Sequence, residues 1–210
     1  LTTNRSDNPS TVYWLDNKLY LNITNRCTND CYFCLHRFKQ GLGEFNLRLK
    51  SEPSSADVIS ELQKVINLKP WSEVVFCGFG EPTVRLDTLL EVARWIRGNT
   101  CISMRLDTNG QALLLFPERE VAAELKEAGV ATVSVSLNAY SKALYDEICR
   151  PKFENAFEKV LEFVKTTREV GLSVEVTAVA VPEVEISKME KIASDLGVRF
   201  RARPYRSFVW

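Results

Sequence analysis

Apolar positions along this chain follow two alternating periods, and the alternation predicts its architecture. Two short apolar-rich runs, Thr11–Leu15 and Lys18–Ile23, flank Asp16-Asn17, which predicts a hairpin turn. Helical spacing begins at Asp57, with Val58, Ile59, Leu62, Val65 and Ile66 on one face and Pro70 closing the region. Glu73–Cys77 is a short, continuously apolar run of the kind buried on both faces of a parallel sheet. A second amphipathic helix carries Leu86, Leu89, Leu90, Ala93 and Ile96 and is expected to end near Gly98. Strand patterns then occupy Ile102–Asp107, Ala131–Leu137, Ser173–Val181 and Val198–Arg203, the last two stopped by Pro182 and Pro204. Helical patterns separate them: Glu118–Ala128, Lys142–Ile148, Asn155–Val170, and a final one lined by Ile186, Met189, Ile192, Ala193 and Leu196. Leu1–Ser10 reads as a polar lead-in, and Glu44–Ser55, without a clear period, as a long loop.

Strand, loop and helix thus recur about five times and end on a sixth strand, which argues an α/β fold with a parallel sheet and helices outside. A doubly wound open sheet and an incomplete (β/α)6 barrel both suit the pattern. The chain, at 210 residues, is short for a full eight-unit barrel. In either arrangement the loops after the strands' C-terminal ends face one ligand region. Every unusual motif here lies just after a strand.

Composition adds mainly exclusions. One domain of ordinary size is expected, with residues 1–18 as lead-in and hairpin and residues 19–210 as the α/β domain itself. Lys plus Arg equals Asp plus Glu at 27 each, so overall charge gives no reason to expect nucleic-acid or membrane-surface binding. No run approaches a membrane span, no N-terminal signal pattern is evident, and no membrane partner is expected. Six cysteines, three of them clustered, do not resemble a secreted disulfide framework, so a reducing cytoplasm is the expected setting.

The clustered thiols carry the chemistry. Cys27, Cys31 and Cys34 stand in Cys-x3-Cys-x2-Cys spacing on the loop after the first full strand. Three thiolates on a short loop suit three corners of an iron–sulfur cubane, leaving one iron open. A zinc knuckle or a disulfide pair is the plainer reading, although no partner Cys motif appears. Gly78-Phe79-Gly80-Glu81-Pro82, Asp107-Thr108-Asn109-Gly110, Ser136–Asn138 and Val181-Pro182 follow the next four strands. Each alone passes for a turn. Glu81, in an apolar neighbourhood, calls for a cationic partner, and a ligand ammonium would serve.

The cysteine spacing with aromatic Phe33, followed by the GFGEP run, resembles the radical SAM superfamily from Leu19 to Arg203. LNITNRCTNDCYFCLHRF, the SLNA run, Cys149-Arg150-Pro151 and FRARPY resemble, more narrowly, the TatD-associated radical SAM proteins. The resemblance implies a fold, an incomplete (β/α)6 barrel, and two cofactors, a [4Fe–4S] cluster and S-adenosylmethionine. It also implies reductive cleavage of the cofactor to a 5′-deoxyadenosyl radical that abstracts hydrogen from a substrate. By that resemblance Cys27, Cys31 and Cys34 ligate iron, and Phe33 packs near the adenine. Gly78, Gly80 and Glu81 meet the methionine ammonium, with Asp107 assisting. Ser136 and Asn138 take ribose or carboxylate contacts, Arg150 the methionine carboxylate, and Val181 an apolar adenine contact. Implied partners are a reductant such as flavodoxin or ferredoxin, and a TatD-type nuclease as a functional link.

In the last strand, alternation puts Arg199, Arg201 and Arg203 on one face. They read either as gatekeeping charges on an exposed edge or, for Arg201 and Arg203, as receptors for a substrate carboxylate or phosphate. His36, the only histidine, reads as a surface-loop residue, and Cys77 and Cys101 as small core residues, while Cys149 is left open. The Phe38–Ser51 stretch is either a lid or a solvated loop. An activase-like enzyme acting on a partner protein, a non-catalytic iron–sulfur carrier and a structural zinc module are the competing functions.

Overall fold

The computed structural model describes residues 8–205, so positions 1–7 of the expected lead-in lie outside the described residues. The expected hairpin forms: β1 (Val12–Leu15) pairs antiparallel with β2 (Lys18–Leu21), and Asp16 takes the left-handed turn conformation at φ 53°. Five further strands add in parallel: β5 (Glu73–Phe76), β6 (Met104–Thr108), β7 (Val130–Ser136), β8 (Ser173–Val179) and β9 (Arg199–Arg203). The sheet order is β1-β2-β5-β6-β7-β8-β9. A doubly wound sheet reverses its order at a switch point. This one never does, so the fold is the incomplete (β/α)6 barrel, with β1 and β9 as its edges.

The connecting helices are α2 (Ser55–Val65), α3 (Leu86–Asn99), α5 (Val121–Glu127), α7 (Ala156–Glu169) and α8 (Ile186–Asp195), with short helices α1 (Leu35–Phe38), α4 (Ala112–Leu115) and α6 (Lys142–Cys149). Local signals start two of them: Ser54 and Asp57 form a reciprocal capping box on α2, and the Ser141 hydroxyl accepts from Leu144 N at α6. The main core lies between sheet and helices. Leu19, Val74, Leu106, Val133 and Val176 of the strands share it with Leu62, Leu89, Leu125, Val160 and Met189 of the helices. Burying each such side chain contributes roughly 1.5–3 kcal/mol.

The opposite face of the sheet has a different character. Alternation turns Lys18, Glu73, Arg105, Asp107, Ser134, Glu175, Arg201 and Arg203 inward, and ion pairs tie Lys18 to Glu73 (2.8 Å), Arg105 to Asp107 (2.9 Å) and Arg201 to Glu175 (2.8 Å). The β1–β2 side of this interior is apolar. There Tyr13, Leu47 and Phe79 are buried, with Leu15, Tyr20, Leu42 and Phe45 packed on them. Part of the stretch expected as a structureless loop supplies that packing, because Gly41–Leu42 (β3) and Phe45–Asn46 (β4) pair as a small antiparallel hairpin. Asn22 and Asn25 fasten the following strap, donating to Leu47 O (2.9 Å) and Leu49 O (2.7 Å). The Phe38–Ser51 stretch is therefore a built cover.

Candidate cluster and cofactor site

The cysteine loop leaves the C-terminal end of β2 and is gripped on both flanks. On one side Asp30 N donates to Cys149 O (3.0 Å), Tyr32 N to Ile148 O (3.2 Å) and Lys152 N to Thr28 O (2.8 Å), which docks the loop on the end of α6. On the other, Glu81 N donates to Arg26 O (2.8 Å), one residue before Cys27. Phe33 is partly buried against the main core and meets Tyr32 edge-on at 5.3 Å. All six cysteines are free. Burial, with the Glu81 carboxylate next in weight, pushes the Cys27 thiol up to about 12, and burial raises Cys34 also. The Cys31 thiol is raised first by its hydrogen bond with Cys149, a fully buried residue. Metal binding here must therefore displace protons.

The Gly78–Pro82 run has a packing reason for its glycines. A Cβ at Gly78 would lie 2.1 Å from Asn22 Oδ1, and one at Gly80 2.5 Å from the carbonyl oxygens of both Thr24 and Arg26. Glycine lets this loop press against the strand-end segment that leads into Cys27. The expectation that Glu81 needs a cationic partner is corrected. Its buried Oε1 accepts from Thr83 N (3.0 Å), Thr83 Oγ1 (2.7 Å) and Thr108 Oγ1 (2.7 Å), and Oε2 from Asn109 N (2.6 Å). Four neutral donors satisfy the carboxylate and lock the loop after β5 to the loop after β6. Burial nonetheless holds its pKa above the ordinary value, against the pull of those bonds.

Asp107 faces the interior, ion-paired with Arg105 (2.9 Å) and near the Cys77 thiol, whose pKa burial raises first and the Asp107 charge next. Burial raises the Asp107 pKa, and Arg105 is the first influence opposing that. Cys77 is thus no core filler but lies beside charged groups at a strand end. Cys101, expected as a small core residue, is instead exposed, in the loop that precedes β6. Two site residues just beyond Asp107 are not expected as such from the sequence: Asn109 reads only as part of a turn, and Gln111 falls outside the motif. Asn109 Nδ2 donates to Thr28 Oγ1 (2.7 Å) and to Cys27 Sγ (3.7 Å), while Gln111 Nε2 reaches Asn29 Oδ1 (2.6 Å) and Tyr145 OH (2.9 Å). A polar amide two residues after Asp107, in a turn closed by Gly110 at φ 81°, was the available signal.

At the ends of β7 and β9 a third group converges. Arg203 Nη2 donates to Ser136 Oγ and Asn138 Oδ1, both at 3.2 Å, while its Nε is buried without a hydrogen-bond partner. Burial lowers the Arg203 pKa, with Asp107 the first group resisting. Asn138 stands in the left-handed region at φ 59°, held by Val179 N donating to its Oδ1 (3.1 Å). Such strain in a non-glycine residue clusters at functional sites.

Two expected contributors stand elsewhere, and a third is already paired. Arg150 caps α6 in a left-handed conformation (φ 47°), and its exposed side chain lines a surface cavity of about 460 Å³ with Lys142, Asp146 and Phe153. Val181 is only 2% exposed, its side chain claimed by the main core. Arg201, on the same face of β9 as Arg203, is engaged by Glu175 at 2.8 Å. His36 is not a plain surface histidine either: its ring packs on Phe79 (5.2 Å), and Arg48 Nη1 sits 2.9 Å from Nε2.

The donor set fits an iron–sulfur cluster. Three free thiols share one loop, and N–H groups of Asn29 (3.4 Å) and Asn109 (3.7 Å) are directed at Cys27 Sγ. Among the described residues no three His, Cys, Asp or Glu side chains converge as a single metal ion would require. The sequence is 30% identical over 154 residues to a probable GTP 3′,8-cyclase of Saccharolobus solfataricus, covering 73% of this chain and 44% of the relative. To the GTP 3′,8-cyclase of Nitrobacter winogradskyi it is 26% identical, covering 77% and 44%. The chain therefore spans less than half the length of these relatives. Among solved structures, Streptococcus suis SuiB superposes with a TM-score of 0.68 at 18% identity, over 92% of this chain and 40% of that one. HydG, a maturase of the [FeFe]-hydrogenase, gives 0.66 at 18% identity, over 91% and 43%. The Radical SAM superfamily model matches residues 21–196. With its three-thiol loop at the strand ends of a six-stranded partial barrel, the chain belongs to the radical SAM superfamily, whose members use a [4Fe–4S] cluster and S-adenosylmethionine.

Proposed function

We propose that this chain is the catalytic barrel of an enzyme that cleaves S-adenosylmethionine reductively and acts on an anionic substrate. The observation that carries the reading is the three-thiol loop, braced by the Gly78–Glu81 and Thr108–Gln111 loops at one end of the barrel. When bound, the cluster and cofactor supply an electron and a 5′-deoxyadenosyl radical. In this reading Cys27, Cys31 and Cys34 hold the iron. The glycine backbone of Gly78–Gly80 and the Asp107 carboxylate receive the methionine end, Phe33 borders the adenine, and Ser136 and Asn138 orient polar groups at the β7 end. Arg203 is the group for the substrate's anion. Among the described residues three arginines have an Nε buried without a hydrogen-bond partner. Of these, Arg105 is ion-paired with Asp107 and Glu73 and Arg48 is bound to His36, whereas Arg203 donates to the neutral Ser136 and Asn138. The relatives are GTP 3′,8-cyclases by name, so their substrate is a nucleoside triphosphate, an anion as well. A low-potential carrier such as flavodoxin or ferredoxin supplies the electron, the setting is a reducing cytoplasm, and the wording of the cysteine loop supports the TatD-associated subgroup.

Anaerobic reconstitution tests the core of this reading. The chain should bind close to four irons and, with dithionite, convert S-adenosylmethionine to 5′-deoxyadenosine and methionine. Cys31→Ala should lose cluster and cleavage together, whereas Arg203→Gln should keep both. A reconstituted, reducible cluster that releases no 5′-deoxyadenosine would refute it.

A further inference from the structure

The cluster ligands are not equivalent in their surroundings. Cys27 Sγ faces two N–H groups, the backbone amide of Asn29 at 3.4 Å and the side-chain amide of Asn109 at 3.7 Å. Cys34 has a backbone donor at His36, and Cys31 has the Cys149 thiol. Among the described residues, only Cys27 is met by a side-chain amide.

That amide is immobilised at every atom. Its Oδ1 accepts from Gln111 N at 3.0 Å, which obliges the NH₂ group to face Thr28 Oγ1 (2.7 Å) and Cys27 Sγ. Its own backbone N–H is anchored on Glu81 Oε2 (2.6 Å), and the residue is 8% exposed. The second donor is fixed as well: Asn29 bonds through its side chain to Gln111 Nε2 (2.6 Å) and Tyr145 OH (3.1 Å), and Gln111 is fully buried. A donor held this way costs no reorganisation when charge on the sulfur changes.

We propose that Asn109 sets the reduction potential of the cluster by donating its side-chain N–H to Cys27 Sγ, with Glu81, Thr28 and Gln111 holding it in place. Hydrogen bonds to cluster sulfurs are one of the levers that fix potential. The reduced cluster carries one more negative charge, so an N–H donor stabilises it more than the oxidised form and raises the potential. Asn109 is a positioning residue in this role, since it touches a ligand and not the reacting atoms. The inference rests on the assignment of Cys27 as an iron ligand.

The test is an equilibrium redox titration of the anaerobically reconstituted chain without S-adenosylmethionine, followed by visible absorbance and by the electron spin resonance of the reduced cluster. Asn109→Leu should load iron as the parent does and titrate at a more negative potential. A tenfold shift of the one-electron equilibrium, about 59 mV, is expected. Asn109→Asp keeps the size and the acceptor for Gln111 N but replaces the donor with charge, and should shift the potential further. It decides the matter if Asn109→Leu does not load. Wild-type potentials in the variants that load, or reduced iron content without a change of potential, would overturn the proposal. Cys27→Ser separates this failure from that of the underlying reading: a serine variant that loads and titrates like the parent removes Cys27 from the ligand set.

Discussion

Replacing Glu81 by glutamine tests whether a buried carboxylate with neutral partners stabilises this fold or burdens it. Two effects oppose each other. The raised pKa of Glu81 shows that burial disfavours its charged form, and glutamine removes that charge. Against this, the carboxylate accepts four hydrogen bonds, and glutamine can accept only at its single oxygen. With that oxygen at the Oε1 position it keeps the bonds from Thr83 N, Thr83 Oγ1 and Thr108 Oγ1. Its NH₂ then faces the Asn109 N–H across the 2.6 Å now spanned by Oε2, donor against donor. Losing a hydrogen bond to a charged group costs about 1.5–3 kcal/mol, and the N–H is left without a partner. The three retained bonds also lose their charge assistance. Net destabilisation of roughly 2–3 kcal/mol is expected, a fall in Tm of roughly 5–10 °C for a chain of this size. Thermal unfolding of the metal-free protein by circular dichroism measures it. The gap should widen as pH falls from neutral towards the ordinary carboxylate value of 4.5. Over that window the folded protein takes up the Glu81 proton before the unfolded chain does, so stability falls as pH rises. A Tm for Glu81→Gln equal to or above the parent would show that desolvation outweighs the bonds, and would refute the account of this loop junction.

Two further outcomes concern the surroundings of the cysteine loop. Gly80→Ala puts a methyl group 2.5 Å from two backbone carbonyl oxygens, which cannot move independently of the strand end. A loss of at least about 2 kcal/mol should appear as a lower urea midpoint, together with poorer retention of iron on gel filtration. His36 is held below the ordinary histidine value of 6.5, first by burial and then by Arg48 and Arg37. The folded state therefore binds this proton less readily than the unfolded one. Its contribution is complete above 6.5 and is lost as pH falls below that value, a dependence of Tm on pH that His36→Gln should flatten.

Much of this protein is legible in its sequence because the informative signals are local. Periodicity marked all six parallel strands and the principal helices, since the spacing of Leu62, Leu89 or Val160 follows directly from which face each helix buries. The hairpin at Asp16-Asn17 and the three-thiol loop were equally local. What periodicity could not choose was sheet order, because a strand's neighbours do not change its apolar pattern. The uninterrupted order β2-β5-β6-β7-β8-β9 decided for the barrel.

Side-chain roles at the strand ends depended on the tertiary structure for the same reason. Three inward arginines follow from alternation alone. That Arg201 faces Glu175 while the Nε of Arg203 goes without a partner depends on what β8 and β6 bring opposite them. Arg150 and Val181 looked like site residues by position in the chain, yet a left-handed helix cap turned one outward and the core took the other. Conversely Asn109 looked like a turn residue, and only the packing of the loop after β6 against the cysteine loop brought its amide to Cys27. Sequence by itself determined which residues fold into strands and which thiols share a loop, because those depend on near neighbours. Which carboxylate, guanidinium or amide is left to meet a ligand was decided by tertiary structure, because each charge is satisfied or orphaned by groups far away in the chain.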